Sequence, residues 1–250
     1  MNERQAKIIE LVKNNNGINV KDLAGLFGVS QMTIRRDLDR LQNKGLIIRT
    51  HGGGISAGKL RFLQEGFPDY SVSPSKSAIG AAAAALVSGG QTIAVDSGTT
   101  ALSTAMHLSQ GAGITVATTS LCVAQALYGS DINVLLLGGF LRKNFPGTYG
   151  PITEQILKQF HVDMLFIGCD GAVSNDGFYT ADMHVANLEK AMVGIANQVV
   201  VVTESSKFGR RAFSRYATLN QVYAVVTDNG LSAEDRANLE AAGISVIMAT

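Results

Sequence analysis

Ile93-Ala94-Val95-Asp96-Ser97-Gly98-Thr99-Thr100 runs from an apolar strand, through a turn of small residues, into a helix. Downstream the same alternation recurs. β-rich runs at 92–96, 114–118, 132–137, 163–168, 198–203, 222–227 and 244–248 are mostly separated by helical patterns, at 76–87, 100–108, 120–128, 151–160, 183–196 and 233–242. Continuous apolar strands alternating with helices imply a largely parallel sheet covered on both faces. The predicted fold class from Ser75 onward is therefore α/β.

Backbone N–H groups at the start of the helix after Gly98, with the hydroxyls of Ser97, Thr99 and Thr100, form an anion cradle. An ordinary Ser/Thr cap after a strand is the plainer reading of the same residues. Asp96, at the end of the strand, is placed to accept hydrogen bonds from sugar hydroxyls. Ligands of parallel sheets gather at the carboxyl ends of strands. Other ends of this kind supply Thr118 and Thr119, Gly138 and Gly139 with Arg142 nearby, Asp170, and Glu204 with Lys207. Lys207 either neutralises a phosphate or pairs with Asp170 or Glu204. Lys76 is either a solvated first-turn residue or reaches the ligand. Polar groups at five strand ends favour one shared site.

Upstream of Ser75 the pattern changes. Residues 57–74 hold Gly58, Gly66, Pro68, Ser71, Ser73 and Pro74 with little periodicity, and read as a linker with one short helical piece near 61–65. Residues 1–56 read as three helices and a ribbon. Ile8, Ile9, Leu11 and Val12 form one stripe, ended by Asn14-Asn15-Asn16-Gly17. Leu23, Leu26 and Phe27 mark a second helix, closed by Gly28. Ser30 caps a third, with Ile34, Leu38 and Leu41 on one side. Gly45 closes it, and Leu46-Ile47-Ile48 enters the turn His51-Gly52-Gly53-Gly54.

Two short helices meeting at Phe27-Gly28-Val29-Ser30 have the anatomy of a helix-turn-helix. The second presents Ser30, Gln31, Met32, Thr33, Arg35 and Arg36 toward a major groove. Arg bonds guanine bidentately and Gln does so with adenine. Successive helical residues differ by about 100°, so of Arg35 and Arg36 one is expected to read bases and the other to clamp a phosphate. Arg49 and His51, on a wing, are expected near the DNA backbone or minor groove. Charge supports this division. Residues 1–61 hold 11 of the 21 Lys and Arg but 5 of the 20 Asp and Glu, a net +6; the remainder carries 10 against 15, a net −5.

Other classes find little support. No apolar run approaches the roughly 20 residues of a membrane span, and the charged start of the chain is no signal peptide. Cys122 and Cys169 read as reduced core residues, which with the rest predicts a cytoplasmic protein. The four histidines lack metal-ligand spacing, so no metal and no cofactor is expected. Neither a Gly-x-Ser-x-Gly elbow nor a Walker A is present. Gly52-Gly53-Gly54-Ile55-Ser56-Ala57 mimics a dinucleotide fingerprint but lacks the long helix that should follow.

The run from Gly28 to Leu38, followed by Leu41, Gly45, Leu46, Arg49 and His51-Gly52-Gly53-Gly54, resembles the DNA-binding signature of the DeoR family of bacterial regulators. The likeness continues through Lys76–Gly80, Asp96–Thr100, Gly138-Gly139, Asp163–Gly171 and Ser205–Gly209. It implies a winged helix-turn-helix over residues 1–56, a linker over 57–74, and an effector-sensing and oligomerisation domain over 75–250. The sensor is implied to be similar in fold to ribose-5-phosphate isomerase and the CoA transferases. The implied partners are a double-stranded DNA operator, a sugar phosphate docked on the Ser97–Thr100 turn, and further copies of the chain in a dimer or tetramer. Repression of a carbohydrate operon, released by the metabolite, is the implied role.

Many relatives carry Asp at the position of Glu204 and an acidic residue near Val185, and Asn is common where Thr119 stands. Such departures imply a different sugar or a site that has drifted. The competing class is an enzyme, a sugar-phosphate isomerase or a CoA-transferase-like protein, with Asp96, Asp170 or Glu204 as the base. An appended DNA reader has no use in such catalysis.

Overall fold

The computed structural model describes residues 3–14, 18–43, 47–50, 53–56, 72–108, 113–142 and 146–250. They belong to two compact units, Met1–Asp69 and Tyr70–Thr250.

The first unit contains α1 (Glu3–Asn14), β1 (Ile18–Asn19), α2 (Val20–Phe27), α3 (Gln31–Asn43), β2 (Ile47–Thr50) and β3 (Gly53–Ser56). Its core is Ile8 of α1, Val20 and Leu23 of α2, and Ile34, Leu38 and Leu41 of α3. Those are the apolar positions that helical periodicity puts on one side. Gly28 ends α2 in the left-handed region, at φ 61° and ψ 33°, where a side chain would be strained, and its N–H reaches back to Ala24 and Gly25. Ser30 Oγ then accepts from Thr33 N at 3.2 Å and caps α3. The strand expected at 46–48 occupies Ile47–Thr50 and pairs antiparallel with β3, Ile48 facing Ile55. β1, a two-residue strand that the pattern did not signal, pairs with the other side of β3. His51, Gly45 and residues 57–71, with the helical piece expected near 61–65, lie outside the described residues.

The second unit is built on a seven-stranded parallel sheet. Its strands are β4 (Thr92–Val95), β5 (Thr115–Thr118), β6 (Asn133–Leu136), β9 (Val162–Ile167), β12 (Ala196–Val202), β14 (Ala224–Asp228) and β15 (Ser245–Ala249), in the order β15-β14-β12-β9-β4-β5-β6. Side chains alternate between two cores. Val95, Phe166, Val200 and Val226 point to one face, Ala94, Leu165, Val201 and Val225 to the other. The first face is covered by α4 (Pro74–Ala84), α5 (Thr99–Met106) and α6 (Leu121–Leu127). The second is covered by α7 (Pro151–Leu157), α8 (Met183–Gly194) and α9 (Ala233–Ala241). α4 lies close against α5 because Gly80 has no side chain: a Cβ there would stand 2.3 Å from Ser103 Oγ and 2.6 Å from its carbonyl carbon.

All seven runs read as strands are strands, and all six helical patterns are helices. Two small antiparallel pieces were not read. One is the hairpin of β7 (Phe140–Leu141) and β8 (Thr148–Tyr149). The other is the sheet of β10 (Gly171–Val173), β11 (Gly177–Thr180) and β13 (Ser214–Thr218).

Candidate functional site

β4 is the strand at which the chain reverses its direction of travel across the sheet. β5 and β6 are added on one side, β9 and β12 on the other. Such a switch point opens a crevice at the carboxyl ends of its strands. A cavity of about 380 Å³ lies there.

Ten of the candidate residues line it: Lys76, Asp96, Ser97, Gly98, Thr99, Thr100, Arg142, Asp170, Glu204 and Lys207. Gly98 occupies the N-cap of α5 at φ −66° and ψ 154° and supplies no side-chain hydrogen bond to the first turn. The first N–H groups of α5 are thus left for a ligand. Asp96 is 5% exposed. Its Oδ1 accepts from Ser97 Oγ at 3.2 Å and its Oδ2 from Gly98 N at 3.3 Å. Asp96 therefore braces the turn, where it was expected to meet sugar hydroxyls. Burial raises its carboxyl above the ordinary range, against the backbone N–H groups that favour the charged form.

Lys76 Nζ faces Glu204 Oε2 at 3.7 Å. Lys207 lines the same wall and has no ion pair among the described residues, so of its two alternatives the pairing with Asp170 or Glu204 is not formed. Asp170 Oδ2 accepts from Ala181 N at 2.8 Å and from Thr180 Oγ1 at 3.3 Å. Arg142 Nη2 reaches Asp182 Oδ2 at 2.8 Å. Burial by itself would raise Asp182. The N–H of His184, the Arg142 guanidinium and the N–H of Val185 outweigh it and hold the carboxyl below its usual value.

Thr118, Thr119, Gly138 and Gly139 are not among the lining residues. Thr118 Oγ1 donates to Val95 O at 2.7 Å and accepts from Ser120 N at 3.0 Å, which ties two strand ends together. Thr119 is fully buried. Gly138 O accepts from Thr153 Oγ1 at 2.8 Å, and a Cβ on Gly139 would lie 2.8 Å from Tyr149 O. Gly139 thus lets the chain pass close to β8 and α7.

The cavity also recruits residues that the sequence reading did not assign as ligand contacts. Cys169 donates to Thr203 Oγ1 at 3.2 Å, and burial pushes its thiol up to about 12, which favours the neutral thiol over the nucleophilic thiolate. Val185 and Glu189 enter from α8. Glu189 is 4% exposed, and its spacing of four from Val185 and three from Met192 was the available signal that it shares their buried face. Thr180 ends β11, and Ala181 and Asp182 follow it before α8. Asp182 caps α8 by accepting from His184 N at 2.8 Å, a signal of helix start that carried no hint of a site.

In the other unit, Ser30, Gln31, Met32, Arg35 and Arg36 are exposed on α3 and Thr33 is half-buried, while Ile34, Asp37, Leu38 and Leu41 are buried. Ser30 and Thr33 hydroxyls stand 2.9 Å apart. Arg49 belongs to β2. Among the described residues no helix is long and apolar enough to cross a membrane, and no group of three or more His, Cys, Asp and Glu is placed to hold a metal ion.

Comparison with known proteins matches residues 4–59 to a DeoR-like helix-turn-helix domain and residues 72–229 to the DeoR C terminal sensor domain. The HTH-type transcriptional regulator GlpR of Haloferax volcanii is 34% identical over 246 residues, covering 98% of this chain and 96% of the relative. The glycerol-3-phosphate regulon repressor of Escherichia coli K12 is 31% identical over 227 residues, covering 90% of each. A ribose 5-phosphate isomerase A of Neisseria gonorrhoeae is 18% identical with a TM-score of 0.41, over 54% of this chain and 53% of that one.

Proposed function

The chain belongs to the DeoR family of DNA-binding transcriptional regulators, and from that premise we propose that it represses a carbohydrate or polyol operon until a singly phosphorylated sugar or polyol occupies the second unit. It is a regulator and not an enzyme, like its curated relatives. DNA and a small-molecule effector are its partners.

The observation that carries the effector reading is the cavity at the ends of β4, β9 and β12. It joins the uncapped start of α5 to two lysines, Lys76 and Lys207. Helix-start N–H groups with flanking cations suit a phosphate, and about 380 Å³ suits a small ligand. The Escherichia coli relative, a glycerol-3-phosphate regulon repressor, points to the same chemistry. On this reading Ser97, Gly98, Thr99 and Thr100 hold the phosphate, while Arg142, Asp170 and Glu204 orient the remainder. Residues 1–56 read the operator, with Gln31, Arg35 and Arg36 as the base and phosphate contacts. Residues 57–74 join this reader to a sensor over 75–250, which also assembles the homo-oligomer. The protein acts in the cytoplasm, where operator and metabolite meet.

A thermal-shift screen of the full chain against sugar and polyol phosphates tests the reading. A ligand at 100 times its dissociation constant adds about 2.7 kcal/mol of stability. The hit should release the protein from its operator. A screen in which no phosphorylated compound stabilises the chain overturns it.

A further inference from the structure

The cavity spans both layers of helices. Lys76 enters from α4 on one side of the sheet, and Glu189 from α8 on the other. Glu189 Oε2 is buried and has no hydrogen-bond partner, and it is the only carboxylate oxygen in that condition among the described residues. The neighbouring acids differ. Asp96 is held by Ser97 and Gly98, Asp170 by Thr180 and Ala181, and Asp182 by Arg142 and His184. Around Glu189 the helix face is apolar, with Val185, Leu188 and Met192 all buried. A desolvated carboxyl oxygen with no partner is an incomplete arrangement. It becomes complete when a ligand supplies the missing hydrogen bond. Burial first, then the charges of Asp96 and Asp170, favour the protonated form of Glu189. A carboxylic acid both donates and accepts, which matches a hydroxyl.

The geometry points to Glu189 as a specificity-determining ligand contact: its Oε2 hydrogen-bonds a hydroxyl on the uncharged tail of a singly phosphorylated polyol or sugar, and the acids beside it exclude ligands whose tail carries a second anion. This rests on the phosphorylated-ligand reading and adds a demand on the other end of the molecule. A carboxylate tail would meet the negative charges of Asp96 and Asp170 beside Glu189, and like charges at such a half-buried site repel.

The test is calorimetric titration of the full-length protein with matched probes: glycerol 3-phosphate against 3-phosphoglycerate, glucose 6-phosphate against 6-phosphogluconate, and inorganic phosphate as the head alone. In the wild type, whichever neutral-tailed probe binds should do so about tenfold or more tightly than its carboxylated counterpart. Glu189→Leu should lower the affinity of the neutral-tailed probe about tenfold, toward that of inorganic phosphate. Glu189→Gln, which keeps shape, neutrality and hydrogen bonding, should retain most of the binding of the neutral-tailed probe. Equal binding of the two tails by the wild type overturns the inference. So does a Glu189→Leu protein that binds like the wild type. Should Glu189→Leu fail to fold, Glu189→Met, which keeps an unbranched chain but loses the hydrogen bond, takes its place, and wild-type affinity for the neutral-tailed probe in it overturns the inference. Failure of every phosphorylated probe, inorganic phosphate included, to bind the wild type sinks the effector reading and this inference together. That outcome is visible before any variant is made.

Discussion

Lys76 Nζ and Glu204 Oε2 stand 3.7 Å apart and link the first turn of α4 to the loop after β12. A ligand phosphate arriving at Lys76 competes with that carboxylate. Both side chains are 25% exposed, so the pair itself contributes under about 1 kcal/mol to stability. Glu204→Gln is expected to raise the affinity for inorganic phosphate roughly two- to fivefold, and Lys76→Ala to lower it by a similar factor. Calorimetric titration checks both, and identical affinities in the two variants place the anion elsewhere.

On α3, Arg35 and Arg36 are both exposed and point about 100° apart. Arg→Ala at the base-reading position should relax specificity at one operator position, at about 1–3 kcal/mol. At the phosphate-clamping position it should weaken all DNA alike and reduce the salt slope by about one unit. Binding assays over a range of salt, on operator and scrambled DNA, assign the roles. Two variants with wild-type affinity would mean that α3 does not enter the groove.

The same helix is anchored from behind. Arg4 Nη2 reaches Asp37 Oδ2 at 2.7 Å, and Gln5 Nε2 reaches Oδ1 at 2.8 Å, which clamps α1 to α3. Asp37 is almost fully buried. Asp37→Ala removes the acceptor of the bonds from both Arg4 and Gln5 and should destabilise the DNA-reading unit by about 1–3 kcal/mol. Urea denaturation together with operator affinity measures it. Unchanged stability would show the clamp to be redundant with the apolar contacts of Ile8 and Leu38.

Gly80→Ala forces a methyl into the contact between α4 and α5, 2.3 Å from Ser103 Oγ. Backbone stands directly behind that hydroxyl, so rotation of the serine does not relieve the clash. A loss of about 1–3 kcal/mol is expected. Because both helices begin at the cavity, effector affinity should fall with it. Thermal melts with and without ligand separate the two effects.

Glu189 and Asp96 both have carboxyls raised by burial, so each keeps a proton in the folded chain at a pH where the unfolded chain has lost it. Stability is then fully present below the ordinary carboxylate range and declines as pH climbs through the raised values. Asp176, held at about 2 by Tyr179 and Arg211, acts in the opposite sense only at strongly acid pH. Glu189→Gln carries no charge to bury. Its melting temperature should exceed that of the wild type by a margin that grows between about pH 5 and pH 8. A constant margin would show that Glu189 stays charged when folded.

The inner strands were legible because they are buried on both faces and read as apolar runs, as Val199 to Val202 does, and the less buried edge strands β6 and β15 were legible from their apolar letters alone. The site was legible where small polar residues follow such a run, at Asp96–Thr100 and Asp170. β10, β11 and β13 were not. Their strands are short, and the register shift between Phe178 and Tyr179 breaks the alternation that would mark a strand. Thr118 and Gly139 misled for a common reason. A hydroxyl or a glycine at a strand end serves close packing as readily as a ligand, and only the third dimension tells the two apart. Glu189 was hidden because a charged letter inside a helix looks like its solvated side until the partners of that helix are known.

The order of strands has a consequence for synthesis on the ribosome. β4, β5 and β6 are neighbours in space as in sequence, so that half can form early. Most of the cavity wall, from Gly168 to Lys207, is made later, and its last strand, β12, must pair with β9 before the crevice closes. A nascent chain therefore carries a finished operator reader long before it carries anything able to answer a metabolite. Incomplete chains that escape the ribosome would occupy DNA yet be deaf to the signal.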